Sequence, residues 1–291
     1  MQMRMKVFLI VLSALALILA GCGGDEEAAA PDEGEQAGSA MTEYEDGVYF
    51  AQADEFSETS GWKDVVVLEV EDGEITMVEW DAAHEQNGRA KEIRSRQGDY
   101  GMVENSDAMA PWYEQVDAVE QWLLENQNID ELELNGEGRP DGISGASIHS
   151  DGFKSLVQEA LAEGPTGYGM YEDGTYSAEQ EEFGENGWKA AVGVTVIGGR
   201  VVAAEWDEFN QGEEFKAELS QEGEYGMVEN AGAIAPWHEQ ANAAEAWLIE
   251  NQDPAQLSLN DEGRPDAISG ATIDVSAFKT LATRALEGHL R

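Results

Sequence analysis

Two short polar runs carry the spacing in this chain that is most suggestive of chemistry. The first is Asp141-Gly142-Ile143-Ser144-Gly145-Ala146-Ser147, and the second is Asp266-Ala267-Ile268-Ser269-Gly270-Ala271-Thr272. Each sets a carboxylate six positions ahead of a hydroxyl, with a small-residue turn between them. Gly and Ala let a bulky group approach the main chain. Backbone N–H groups around such a turn, followed by the start of a helix, form a seat for a phosphate. The hydroxyl at the end of each run is then expected beside a helix N-terminus, whose dipole favours an anion. A single run of this kind is an ordinary turn capping a helix. Its recurrence at one offset sets the pair apart.

Other chemistries have less support. A lone Cys excludes an internal disulfide, a Cys-based zinc site and an iron–sulfur cluster. The four His (84, 149, 238, 289) show no ligand spacing. His149 follows the first run, but Asp274 takes its place after the second. With 16 basic against 60 acidic residues and a formal net charge of −44, there is no basic face for nucleic acid. Arg139 and Arg264 stand out against that background, either as phosphate holders or as partners of nearby carboxylates. Trp112 and Trp237 read as core. Trp62, Trp80, Trp188 and Trp206 are less determined, and the Tyr-Gly-Met blocks at 100 and 225 read as loops.

The runs belong to a longer repeat. Tyr100-Gly101-Met102-Val103-Glu104-Asn105 returns at 225–230, Ala110-Pro111-Trp112 at 235–237, and Glu137-Gly138-Arg139-Pro140-Asp141 at 262–266. A period near 125 is domain-sized, well above that of solenoid repeats. Two tandem copies of one domain are expected at 44–164 and 170–290, joined by the turn-rich segment 164–169. Within the first copy, Gly47–Phe50 reads as a short strand. Val66, Leu68 and Val70 then lead through Asp72-Gly73 to Ile75 and Met77, which predicts a hairpin with a two-residue loop. Pro111 opens a helix with Trp112, Val116, Val119 and Leu123 on one stripe, and a last helix carries Phe153, Leu156, Val157, Ala160 and Leu161. Strands followed by segregated helices predict an α+β fold, each copy an antiparallel sheet with helices packed on it.

At the two polar runs the sequence resembles the FMN-binding domain family, whose signature is Asp-x-x-Ser/Thr-Gly-Ala-Thr/Ser. That family includes flavin-bearing subunits of the sodium-pumping NADH:quinone reductase and of Rnf-type complexes. It also includes lipid-anchored flavoproteins of extracellular electron transfer. The resemblance covers most of the mature chain and implies two covalent FMN groups. They would be held by phosphoester bonds to Ser147 and Thr272 and installed by a dedicated flavin transferase. It further implies recognition residues Asp141, Ser144, Gly145 and Ala146 in the first copy, with Asp266, Ser269, Gly270 and Ala271 in the second. The first copy ends in Ser, where Thr is commoner.

The N-terminus gives the context. Residues 1–22 read as a targeting segment: Arg4 and Lys6, an apolar stretch from Val7 to Ala20, then Leu19-Ala20-Gly21-Cys22. This is similar to the lipobox of bacterial lipoproteins, which implies a lipidated Cys22 inserted in the bilayer. Residues 23–43, acidic and poor in large apolar groups, are expected to form a flexible tether with a reach of roughly 25 Å. The resulting expectation is a carrier on the extracytoplasmic face of the bacterial membrane. It would take electrons from a membrane donor, a quinol or a reductase, and pass them to an external acceptor. A non-redox solute- or surface-binding lipoprotein is the alternative, and an electron-input subunit of a larger membrane reductase is a third reading.

Overall fold

The computed structural model describes residues 44–86 and 88–291. The targeting segment, Cys22 and the acidic stretch to residue 43 lie outside the described residues. No helix among the described residues is long and apolar enough to cross a membrane.

The first half opens with β1 (Gly47–Gln52), β2 (Trp62–Glu71) and β3 (Glu74–His84), an antiparallel sheet in the order β1-β2-β3. Asp72 and Gly73 both take positive φ, +55° and +79°, as a two-residue hairpin turn demands. Four helices follow: α1 (Lys91–Arg96), α2 (Met102–Asn105), α3 (Trp112–Asn126) and α4 (Asp151–Glu163). The second half has the same order in β4 (Gly174–Glu179), β5 (Trp188–Ile197), β6 (Arg200–Asn210), α5 (Lys216–Gln221), α6 (Met227–Ala231), α7 (Trp237–Asn251) and α8 (Ser276–Leu286). The architecture is α+β, with two three-stranded antiparallel sheets, consistent with two similar domains.

One face of each sheet carries the long helices. Val66, Leu68 and Val70 of β2 pack with Trp112, Val116, Val119 and Leu123 of α3 and with Phe153 and Val157 of α4. Val192, Val194 and Val196 meet α7 and α8 in the same way. The other faces meet each other. Val65, Val67, Ala83 and Ala90 form one buried cluster with Ile197, Val202 and Ala203. The layers therefore run helices, sheet, sheet, helices. This changes the reading of β2, which alternation alone places with one buried face. Its uninterrupted Val65-Val66-Val67-Leu68 is the signature of a strand buried on both sides.

Helix α3 is also bonded to the outer edge of its sheet. Gln127, at φ +60° just beyond the helix, accepts from Ile75 N (2.7 Å) and donates to Ile75 O (2.9 Å), while Glu120 Oε1 accepts from Trp80 N (2.6 Å). Gln252 and Glu245 make the equivalent bonds to Val201 and Trp206. These side chains occupy edge groups of β3 and β6 that would otherwise offer themselves to another strand.

Candidate functional site

Both hydroxyls stand on a scaffold built from short-range bonds. Asn135 Oδ1 accepts from the N–H groups of Glu137 and Arg139, closing a tight loop at Glu137-Gly138-Arg139-Pro140. Leu134 and Pro140 then pair as an isolated bridge, and Ser150 N donates to Gly138 O at 2.8 Å. Asn260, the Leu259–Pro265 bridge and Val275 N to Gly263 O do the same in the second half. The polar run is pinned at both ends. Its turn passes through Gly145 (φ +92°) and Gly270 (φ +89°), a conformation that L side chains rarely adopt.

A glutamine from the neighbouring helix holds each hydroxyl. Gln115 Oε1 accepts from both Ser147 N (2.8 Å) and Ser147 Oγ (2.9 Å), and Gln115 Nε2 donates to Ala110 O (2.9 Å). Gln240 Oε1 accepts from Thr272 N (2.8 Å) and Thr272 Oγ1 (3.2 Å), and its Nε2 donates to Ala235 O (2.8 Å). Both amides are buried, at 1% and 0% exposure, whereas Ser147 and Thr272 themselves are exposed. A buried amide bonded at both ends thus holds a solvent-exposed hydroxyl, twice.

The glutamines are what motif reasoning missed. Each is a polar residue beside the apolar stripe of its helix, in Glu114-Gln115 and again in Glu239-Gln240. That recurrence was the available signal.

The remaining expected residues fall around this point. Asp141, Ser144, Asp266 and Ser269 are exposed, while Ala146 and Ala271 turn toward the core. Among the described residues neither Asp141 nor Asp266 joins an ion pair. Arg139 lies 3.4 Å from Glu137 and Arg264 lies 3.2 Å from Glu262, and Arg139 also donates to Ser147 O at 2.8 Å.

Two expectations need correction. The hydroxyls do not sit at a helix N-terminus, because Ile148, His149 and Ser150 separate Ser147 from Asp151, the first residue of α4, and Thr272 is equally far from α8. Buried Ile148 and Val275 draw those connecting segments into the core, so the side-chain amide rather than a helix dipole meets the oxygen. The Tyr-Gly-Met blocks are not plain loops either. Gly101 and Gly226, at φ +63° and +56°, open the one-turn helices α2 and α6, and Tyr100, Met102, Tyr225 and Met227 pack against the two cores.

Of the less determined tryptophans, Trp80 and Trp206 are core residues, Trp80 stacking on Phe153 with ring centroids 4.8 Å apart. Trp62 and Trp188 each lie beside a lysine ammonium, that of Lys91 and that of Lys216.

Two further features lie apart from the hydroxyls. Glu79, Asp81 and Glu92 bring carboxylate oxygens within 4.8 Å of one another, but Asp81 Oδ1 already accepts from the N–H groups of Ala82 and Glu92 and so caps the start of α1. A cleft of about 1420 Å³ opens between the halves. Gln52, Lys63, Glu205, Trp206 and Asp207 are among its walls, and neither Ser147 nor Thr272 borders it.

Comparison with known proteins adds the family. Residues 61–162 match the FMN-binding domain. The 15 kDa lipoprotein of Treponema pallidum (strain Nichols) is 30% identical over 133 residues, covering 45% of this chain and 86% of the relative. A solution NMR structure from Clostridium thermocellum is 46% identical, covers 40% of this chain and 96% of that one, and gives a TM-score of 0.32. A crystal structure from Clostridium perfringens is 27% identical, with 41% and 89% covered and a TM-score of 0.34. The chain belongs to the FMN-binding domain family.

Proposed function

We propose that the protein is a lipid-anchored electron carrier of the extracytoplasmic membrane face, holding one FMN by phosphoester on Ser147 and another on Thr272. The observation that carries this reading is the pair of exposed hydroxyls, each fixed by a buried glutamine. That geometry fits an ester-linked group. The oxygen is accessible to a modifying enzyme, its position is set by two hydrogen bonds, and the glycine before it leaves open space where a Cβ would stand.

When bound, FMN supplies one- or two-electron redox chemistry. The chain's own residues attach and orient it. Gln115 and Gln240 direct the hydroxyl hydrogen inward, which turns the oxygen lone pairs toward solvent. An amide oxygen is too weak a base to take the hydroxyl proton during ester formation, so that base belongs to the flavin transferase. Arg139, bonded to Ser147 O, holds the main chain of the first site still. A covalent bond also suits a protein outside the cell, where a dissociating cofactor would be lost. Cys22 in the bilayer and the acidic tether let the folded part sample a membrane donor, quinol or reductase, and an external acceptor.

Mass spectrometry of protein co-produced with a flavin transferase tests the assignment. Peptides spanning 141–154 and 266–279 are expected to carry the mass of FMN minus water, with Ser147→Ala and Thr272→Ala each abolishing one increment and sparing the other. A colourless, unmodified mature protein would instead support the binding lipoprotein.

A further inference from the structure

Each half encloses one lysine ammonium in three aromatic rings. Lys91 Nζ stands 5.3, 5.2 and 4.9 Å from the ring centroids of Trp62, Tyr100 and Trp112. Lys216 Nζ stands 4.7, 5.2 and 5.3 Å from Trp188, Tyr225 and Trp237. All six distances fall in the range of cation–π attraction. The cages adjoin the hydroxyl sites. Trp112 opens α3 and Gln115 follows within one turn, its Nε2 also 3.8 Å from Met102 Sδ beside Tyr100. Trp237 and Gln240 are related in the same way on α7.

The counter-charge is where the halves differ. Lys216 is 4% exposed and ion-paired with Glu208. The position of Glu208 is Ala82 in the first half, and among the described residues Lys91 joins no ion pair. The first half instead carries its carboxylate across the strand pair, where Asp64 faces Ala82, just as Ala190 faces Glu208 in the second. Asp64 is held back from ionisation by burial, against the opposing pull of Lys91. A second cation joins the first cage as well: Arg94 Cζ lies 5.3 Å from the Trp62 ring, at a position occupied by Leu219 in the second half. The first cage therefore holds two cations, with its carboxylate set back across the strand pair. The second holds a closed ion pair.

Resting on the attachment of FMN at both hydroxyls, we infer that the two halves are redox-inequivalent, the group on Ser147 being reduced more readily than the group on Thr272, so that electrons run from the second half to the first. Reduction adds negative charge, and cations without a directly paired carboxylate stabilise that charge more than a closed ion pair does. The transfer is internal and balanced. Two electrons with their compensating proton leave the group on Thr272, which is oxidised, and enter the group on Ser147, which is reduced.

Anaerobic spectroelectrochemical titration of the two single-site variants tests this, since each retains one flavin. The midpoint of Thr272→Ala, reporting the first half, is expected above that of Ser147→Ala. A tenfold difference in oxidised-to-reduced ratio corresponds to 29.6 mV for a two-electron couple. Arg94→Leu in the Thr272→Ala background should lower the first midpoint, and Glu208→Ala in the Ser147→Ala background should raise the second. A purely structural role of the cages would change yield or stability and leave both potentials in place. Equal midpoints, or the reverse order, would overturn the inference while leaving attachment intact, and absence of flavin from both variants would remove both readings.

Discussion

At the scale of single residues, Gln115 and Gln240 carry more than their neighbours. Gln115 has both ends of its amide engaged in a buried setting, so a substitution there acts through the groups it abandons. Gln115→Leu preserves volume but leaves Ser147 N and Ala110 O without their partner. The expected cost is about 1–3 kcal/mol in urea unfolding, together with reduced flavin incorporation at Ser147 and none lost at Thr272. Equal incorporation in the two halves of that variant would show that the amide does not present the hydroxyl. The residues doing the proposed chemistry were legible because a motif marks them, and those holding them were not. A buried polar side chain on a helix declares itself only through its partner, here 32 positions away. The one-turn helices at Gly101 and Gly226 were hidden for a related reason. Four or five residues are too few for a 3.6-residue period to show, so only the left-handed glycine marks them.

At the scale of elements, the bond from each long helix to the edge of its sheet sets a pH dependence. Glu120 is pushed up to about 8, first by burial and then by Asp117, Glu92 and Glu79, against the lowering effect of its bond from Trp80 N. Glu245 is pushed up to about 8, again chiefly by burial and against a bond from Trp206 N. A carboxyl that titrates higher in the folded chain keeps protons the unfolded chain has already released. Its stabilisation is complete below the ordinary value of 4.5 and declines as pH rises toward about 8. The protein should therefore lose stability between pH 5.5 and 8, by on the order of 1 kcal/mol per pH unit for each such group. Glu120→Gln keeps an acceptor for Trp80 N and removes the charge. Its melting temperature should exceed the wild type at pH 8, by a margin that shrinks steadily toward pH 5.5. A wild type whose melting temperature rises with pH over this range would contradict the assignment. These carboxyls sit on helices whose apolar stripes were readable, yet their bonds to a strand edge depend on how helix and sheet are docked.

At the scale of the whole molecule, the two sheets meet through an apolar, glycine-assisted junction. Val65 and Val67 lie at 0% exposure against Ile197 and Val202, and a Cβ on Gly198 (φ +60°) would stand 2.8 Å from Val67 Cγ2. The chain between the halves is part of this contact, with Thr166 N and Gly167 N both donating to Val48 O and Gly169 N to Gly198 O. Repeat arithmetic alone sees two copies and a turn-rich link. It cannot see that the sheet faces away from the helices meet at Val65, Val67, Ile197, Val202 and Ala203, because the repeat is blind to contacts between its own units. The consequence is thermodynamic. Domains joined by polar, open interfaces move and unfold independently, whereas a closed apolar interface couples them. Calorimetry should show a single transition with van't Hoff and calorimetric enthalpies in agreement. Val67→Asp would place a carboxylate without a partner in that junction, a change that costs about 3–5 kcal/mol when a buried charge is left uncompensated. The single transition should then separate into two or shift as a whole to lower temperature. Two resolved transitions in the wild type would mean that the junction holds the halves side by side without linking their stability, and the internal electron path would have to tolerate that freedom.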